Sequence, residues 1–188
     1  MRLEDYIPSE PAEVSVSSGE GTKTLKFVRV LAHSPEQVWS ALTDPAKLPK
    51  WAPYGPNRAL DTVGPATLKM YDGSEPDHYD IEVLHVTPLQ RLEYTWAGTT
   101  VLWVLDTTVE GTRLTLYHTV ENPSWITPSA AGWHICLDMA DLLLQGHEIG
   151  PLVGDAVMDA GWPALAEHYG RVLDMPLDPD FLGSDSES

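Results

Sequence analysis

The sequence has one cysteine, Cys136, in 188 residues. That excludes an intramolecular disulfide and any zinc site built on cysteines. Basic residues are scarce as well: 11 Lys and Arg stand against 28 Asp and Glu, for a net charge of −17 and a pI near 4.5. A surface of that sign repels phosphate backbones, so neither nucleic acid nor an anionic membrane is an expected partner. No apolar run approaches the roughly 20 residues of a membrane span. The opening Met1-Arg2-Leu3-Glu4-Asp5 lacks the pattern of a signal peptide. There is no glycine-rich phosphate loop, no Ser/His/Asp motif and no pair of carboxylates at a recognisable catalytic spacing; Gly19-Glu20-Gly21 is too short to cradle phosphate. A cytoplasmic protein without a cofactor or metal is the expectation.

What is present is a folding composition, 43% apolar with seven Trp and seven Tyr, and a length that suits one domain. Residues 1–21 carry five acids and one base, and residues 174–188 five acids and no base. Both ends read as solvated: a loose N-terminal arm over 1–21 and an acidic, disordered tail over 174–188, flanking one domain over 22–173.

Within that domain, Thr24 to Ala32 has strand character. His33-Ser34-Pro35-Glu36-Gln37 then starts a helix, with Ser34 as cap, Pro35 in the first turn and Gln37 closing a capping box. Asp44-Pro45 restarts the chain as a brief helix ending near Trp51, and a Pro- and Gly-rich stretch runs from Pro53 to Pro65. Four or five strands follow. Alternation puts Tyr79, Ile81, Val83 and His85 on one face, then Leu92, Tyr94 and Trp96, then Val101, Trp103 and Leu105, then Leu114, Leu116, His118 and Val120. Glu110-Gly111 makes the last two strands a hairpin. Thr127-Pro128-Ser129 opens a long helix reaching about Gly146, apolar well beyond one stripe, with His134, Asp138, Asp141 and Gln145 as a narrow polar line. Residues 154–173 form a further helical segment that Pro163 kinks or splits. Strand, short helices, antiparallel strands and a long C-terminal helix amount to an α+β fold with one curved sheet and helices on one face. A helix lying across a concave sheet leaves room for a cavity.

The same stretches resemble a known family. His33-Ser34-Pro35, Val38-Trp39, Ala41 to Pro45, Trp51, Arg91 to Trp96, Gly111 to His118 and Gly132-Trp133 succeed one another, over about 24–147, as in homologues of the activator of the 90-kDa heat-shock-protein ATPase. That family belongs to the START/Bet v 1-like (SRPBCC) superfamily. The resemblance implies a helix-grip fold, a bent antiparallel sheet wrapped around the C-terminal helix and enclosing a mostly apolar cavity. It implies a small hydrophobic ligand, since members bind lipids, sterols and polyketides, and a minority catalyse cyclisation or aromatisation. Chaperone-activating members carry an additional N-terminal domain that residues 1–21 cannot replace, so chaperone activation is not carried over.

Trp51, Tyr79, Tyr94, Trp96, Trp103 and Trp133 turn toward the space between sheet and helix, as core, as pocket wall or as both, and Leu137 lies on the facing helical stripe. His118 shares the inner face and is the weak catalytic candidate: a buried, hydrogen-bonded imidazole, a polar handle, or a general base. His134 and Asp138, four apart, read mainly as part of a solvated stripe and alternatively as an acid–base pair at a cavity mouth. As metal ligands they are only two, and His78, Asp80 and His85 lack metal-binding spacing, so no metal is expected. Cys136 reads as inert core. Arg29 follows Leu25 and Phe27 along its strand, either paired at the sheet edge or, inside a cavity, binding a carboxylate. The expected function is binding of a small hydrophobic or amphipathic molecule. The alternatives are a cyclase-like enzyme using His118, and an interaction module docking through its apolar helices, with a homodimer as one form.

Overall fold

Ser34 caps helix α1 (Pro35–Thr43) by accepting from the Gln37 amide, and the Gln37 side chain accepts from the Ser34 amide in return, so the capping box expected from the sequence is formed. The computed structural model describes residues 6–72 and 77–182. Strands β1 (Glu13–Ser18) and β2 (Lys23–Leu31) precede α1. After it come β3 (Tyr54–Pro56), β4 (Gly64–Met70), β5 (His78–Thr87), β6 (Arg91–Trp96), β7 (Thr99–Thr108) and β8 (Gly111–Val120). Helices α2 (Ile126–Leu144), α3 (Asp155–Asp159) and α4 (Trp162–Val172) complete the order.

The strands form one antiparallel eight-stranded sheet in the order β1-β2-β8-β7-β6-β5-β4-β3. Strand β2 therefore pairs with β8 across most of the chain, and the sheet curves around α2. Helix α2 packs on β2, α1 and α4 at once, which explains why its apolar surface is too wide for one amphipathic face. Pro163 sits in the first turn of α4, so the 154–173 segment is split into two helices rather than kinked. The β7–β8 hairpin forms, with its two-residue turn at Val109-Glu110, one residue earlier than expected, and Gly111 as the first residue of β8. Gly111 there has φ 135°, and a Cβ would collide with the Leu31 carbonyl oxygen where β8 passes the end of β2.

Three expectations need correction. Residues 13–18 are not loose: Val14 and Val16 alternate with polar neighbours and pack on the core, so the segment adds an edge strand to β2. The signal was short and flanked by proline. Residues 174–182 are likewise packed, with Leu177 and Phe181 against the core and the Met175 carbonyl accepting from Thr127 Oγ1 at 2.6 Å; residues 1–5 and 183–188 lie outside the described residues. Finally, His85 does not share the inner face with Tyr79, Ile81 and Val83. Leu84 is an extra residue where the β5–β6 register shifts between Val83 and His85, which turns His85 outward and brings Val86 in.

Candidate functional site

Toward one end of the sheet the core gives way to a cavity of about 500 Å³. Strand β5 supplies Tyr79, the end of β6 Trp96, the end of β8 His118 and Val120, the approach to α2 Trp125, and the first turn of α2 Ser129. The register of the sheet aligns these groups. Trp96 faces Thr99 across the β6–β7 hairpin, and His118 lies opposite Val101. The two-residue turn Ala97-Gly98 has φ 50° and 81°, the left-handed pair that matches the twist of a tight hairpin. It brings Ala97 and Thr99 to the lip of the cavity.

An aromatic cluster forms the floor. Trp96 stacks on the His118 ring at 5.6 Å and 15°, and Trp133 meets both edge-on, at 5.7 Å and 5.9 Å. The Trp133 Nε1–H donates to His118 Nδ1 at 3.1 Å. An indole N–H can only donate, so Nδ1 is the acceptor nitrogen and the proton of the neutral ring is on Nε2. No described residue hydrogen-bonds Nε2, which is left to the cavity. Burial lowers the His118 pKa to about 4. The imidazole therefore offers a ligand a hydrogen-bond donor. It is poorly suited as a general base, because its basic nitrogen is occupied and its proton affinity is low.

This arrangement predicts a pH effect. The unfolded imidazole titrates near 6.5 and the folded one near 4. The unfolded chain thus binds more protons between those values, and stability falls as pH falls through that window. From pH 7 to pH 5 the wild-type protein should lose about 1–2 kcal/mol more than His118→Phe in denaturant unfolding. Parallel profiles would instead mean that the ring is well hydrated.

Of the eight residues singled out from sequence, Tyr79, Trp96 and His118 line the cavity. Trp51, Tyr94, Trp103 and Leu137, each 1% exposed, and Trp133, 4% exposed, are packed beneath it. Alternation identifies the inner face of the sheet, but α2 fills most of that face, and only the end of the sheet that α2 leaves open borders the cavity. Tyr94 nevertheless organises the core, accepting from Trp103 Nε1 at 3.2 Å and meeting the Tyr54 hydroxyl at 2.8 Å. Sequence reading missed Trp125, which is half exposed at the mouth with its ring edge-on to Phe181 at 4.8 Å. It also missed Met70 and Asn122. These residues lie in turns or at strand ends, where no periodicity marks a face.

His134 and Asp138 depart most from expectation. They are 0% and 6% exposed, neither solvated nor on the wall of the aromatic cavity. Asp138 Oδ2 accepts from the Tyr6 hydroxyl at 2.6 Å and the Ser9 amide at 3.0 Å. Its Oδ1 accepts from Ser9 Oγ at 2.6 Å and from Arg29 Nη1 at 2.8 Å. Burial pushes the Asp138 carboxyl up, but the His134 hydrogen bond, the Arg29 charge and the two Ser9 hydrogen bonds outweigh it and hold the group well below the usual carboxylate range. The Tyr169 hydroxyl accepts from the Ala12 amide at 2.9 Å and lies 2.7 Å from His134 Nδ1. The Asp138 carboxylate can only accept, so His134 Nε2, 3.3 Å from both Asp138 Oδ2 and Ser9 Oγ, carries a proton toward them. The cluster fastens residues 6–12 across α2 and α4. Arg29 is thus paired with Asp138 of α2 rather than at a sheet edge, since β2 lies between β1 and β8, and it takes no part in the aromatic cavity. Cys136 is partly buried and packs against the core rather than within it, and burial pushes its thiol up to about 12. Among the described residues no group of His, Cys, Asp and Glu is arranged to hold a metal ion, and no helix is long and apolar enough to cross a membrane.

The family model of the activator of Hsp90 ATPase homolog 1-like proteins matches residues 32–144, more than half of the chain. The chain belongs to this family. Solved structures agree on the helix-grip fold. EF2215 from Enterococcus faecalis, a conserved protein of unknown function, is similar with a TM-score of 0.65 and 17% identity, over 87% of this chain and 92% of that one. CalU16 from Micromonospora echinospora is similar with a TM-score of 0.60 and 17% identity, over 88% and 93%. DynU16, from the dynemicin biosynthetic locus, is similar with a TM-score of 0.58 and 26% identity, over 66% of this chain and 48% of DynU16. No curated protein matches the chain. The matched span of the family model holds Trp96, His118 and Trp133, whereas Tyr6 and Ser9 of the Asp138 cluster precede it and Tyr169 follows it.

Proposed function

We propose that this member of the family binds a small hydrophobic or amphipathic molecule in the cavity bordered by Tyr79, Trp96, His118 and Trp125. The observation that carries the reading is the built wall: aromatic side chains around an imidazole whose accessible edge is a hydrogen-bond donor. A volume of about 500 Å³ is within the range of small-molecule sites. A ligand here buries its apolar body against Trp96 and Met70 and places an acceptor, such as a carbonyl or ether oxygen, at His118 Nε2. The tautomer favours holding a ligand over abstracting a proton from one.

Native mass spectrometry of the protein as purified, set against its denatured mass, tests this. A retained non-covalent mass is expected, and it should be lost in folded Trp96→Ala. With N-phenyl-1-naphthylamine as a neutral fluorescent probe, Trp96→Ala should weaken binding by about 10- to 100-fold, the equivalent of about 1.5–3 kcal/mol of lost apolar contact. A bare protein that also leaves the probe unbound would overturn the reading.

A further inference from the structure

We infer that Phe181 is a positioning residue of the ligand site: it holds the Trp125 indole at the mouth of the cavity, so that retention of a ligand depends on the C-terminal segment. The inference rests on the cavity being a ligand site, as proposed above, and adds what keeps its mouth in shape.

Trp125 ends the short turn Pro123–Trp125 between β8 and α2. Asn122 caps that turn, its Oδ1 accepting from the Ser124 amide at 3.0 Å and its carbonyl from the Trp125 amide at 3.1 Å. The backbone is fixed there, but the indole is half exposed. Its direction is therefore set by what packs on it. Phe181 meets it edge-on, with centroids 4.8 Å apart at 80°, a favoured arrangement of paired rings. Trp125 is on the cavity wall and Phe181 is not, so the influence of Phe181 on a ligand passes through the indole.

The segment that carries Phe181 is anchored before it reaches that ring. After α4 the Met175 amide donates to the Gly170 carbonyl at 2.9 Å, with Asp174 at φ 52°, which ends the helix and turns the chain. The Met175 carbonyl is then tied to Thr127 in the first turn of α2, the turn that also gives Ser129 to the wall. Leu177 packs on the core, and the turn Pro179–Leu182 follows, its Phe181 amide donating to the Asp178 carbonyl at 3.1 Å. The matched span of the family model ends at residue 144. The ring that holds the mouth thus comes from a part of the chain beyond that span.

The test measures release of bound N-phenyl-1-naphthylamine from the full chain by stopped flow, in a double-variant cycle. Trp125→Ala is expected to raise the release rate about tenfold and Phe181→Ala about fivefold. Trp125→Ala/Phe181→Ala should release no faster than Trp125→Ala alone, because Phe181 acts only through the indole. Phe181→Tyr should keep the wild-type rate, as should Leu182→Ala, which removes apolar bulk from the same turn. Phe181→Leu reads the same coupling should Phe181→Ala not fold. A role confined to packing would lower stability in Phe181→Ala without this dependence on Trp125. A double variant that releases about fiftyfold faster would make the two rings independent and overturn the inference. A wild-type release rate in both Phe181→Ala and Phe181→Leu would overturn it too. In either case a probe that is lost in Trp96→Ala leaves the ligand site standing. No probe binding by the wild-type protein would overturn both readings.

Discussion

Asp138→Ala is expected to cost about 3–5 kcal/mol of folding stability. The carboxylate serves Tyr6, Ser9, Arg29 and His134 together. Removing it strands a guanidinium that is 14% exposed and whose Nε and Nη2 have no hydrogen-bond partner among the described residues. A buried charge without its counter-ion accounts for most of the cost. Guanidinium chloride unfolding at pH 7 measures it, and Arg29→Met/Asp138→Leu should recover more than half, because both charges then leave together. The segment before β1 should also become open to limited proteolysis, since two of its anchors end on Asp138. Because the folded carboxyl is held below its unfolded value near 4, the stabilisation is full above that pH and is lost as pH falls further. A loss under about 1 kcal/mol in Asp138→Ala would mean that residues 6–12 do not cover the cluster in solution.

Trp103→Ala is expected to cost about 3–5 kcal/mol of stability while leaving the wall of the cavity in place. The indole is 1% exposed, meets Trp51 and Trp133 edge-on at 6.2 Å and 5.3 Å, and donates to the buried Tyr94 hydroxyl. Its loss opens a void that close-packed neighbours cannot refill and takes from that hydroxyl one of its two hydrogen bonds, leaving the one to Tyr54. Trp96 has the opposite profile. One face stacks on His118 and the ring borders the cavity, so its removal should reach ligand binding before stability. Unfolding curves and probe titrations on the two variants separate these effects. A Trp103→Ala protein as stable as wild type would show that the aromatic cluster is not tightly packed.

Much of this was legible in the residues. The Ser34 capping box, the alternation of β6 to β8, the two-residue hairpin before Gly111 and the over-apolar α2 each follow from local spacing, and local spacing is what sets dihedrals and faces. The family followed from the same stretches in order. The acidic surface and the absence of a cysteine pair likewise needed no structure. Tyr79, Trp96 and His118 could be placed on an inner face by parity alone.

Parity stops at the face, however. Whether an inward aromatic is core or wall depends on where α2 ends over the sheet, which separated Trp96 from Trp103 although each has inward parity on its strand. A bulge at Leu84 reversed His85, and a bulge has no periodic signal. His134 and Asp138 look like a solvent stripe because the groups that bury them, Tyr6, Ser9, Arg29 and Tyr169, are distant in sequence. Helical spacing records which residues share a face. Only the tertiary structure decides what covers it.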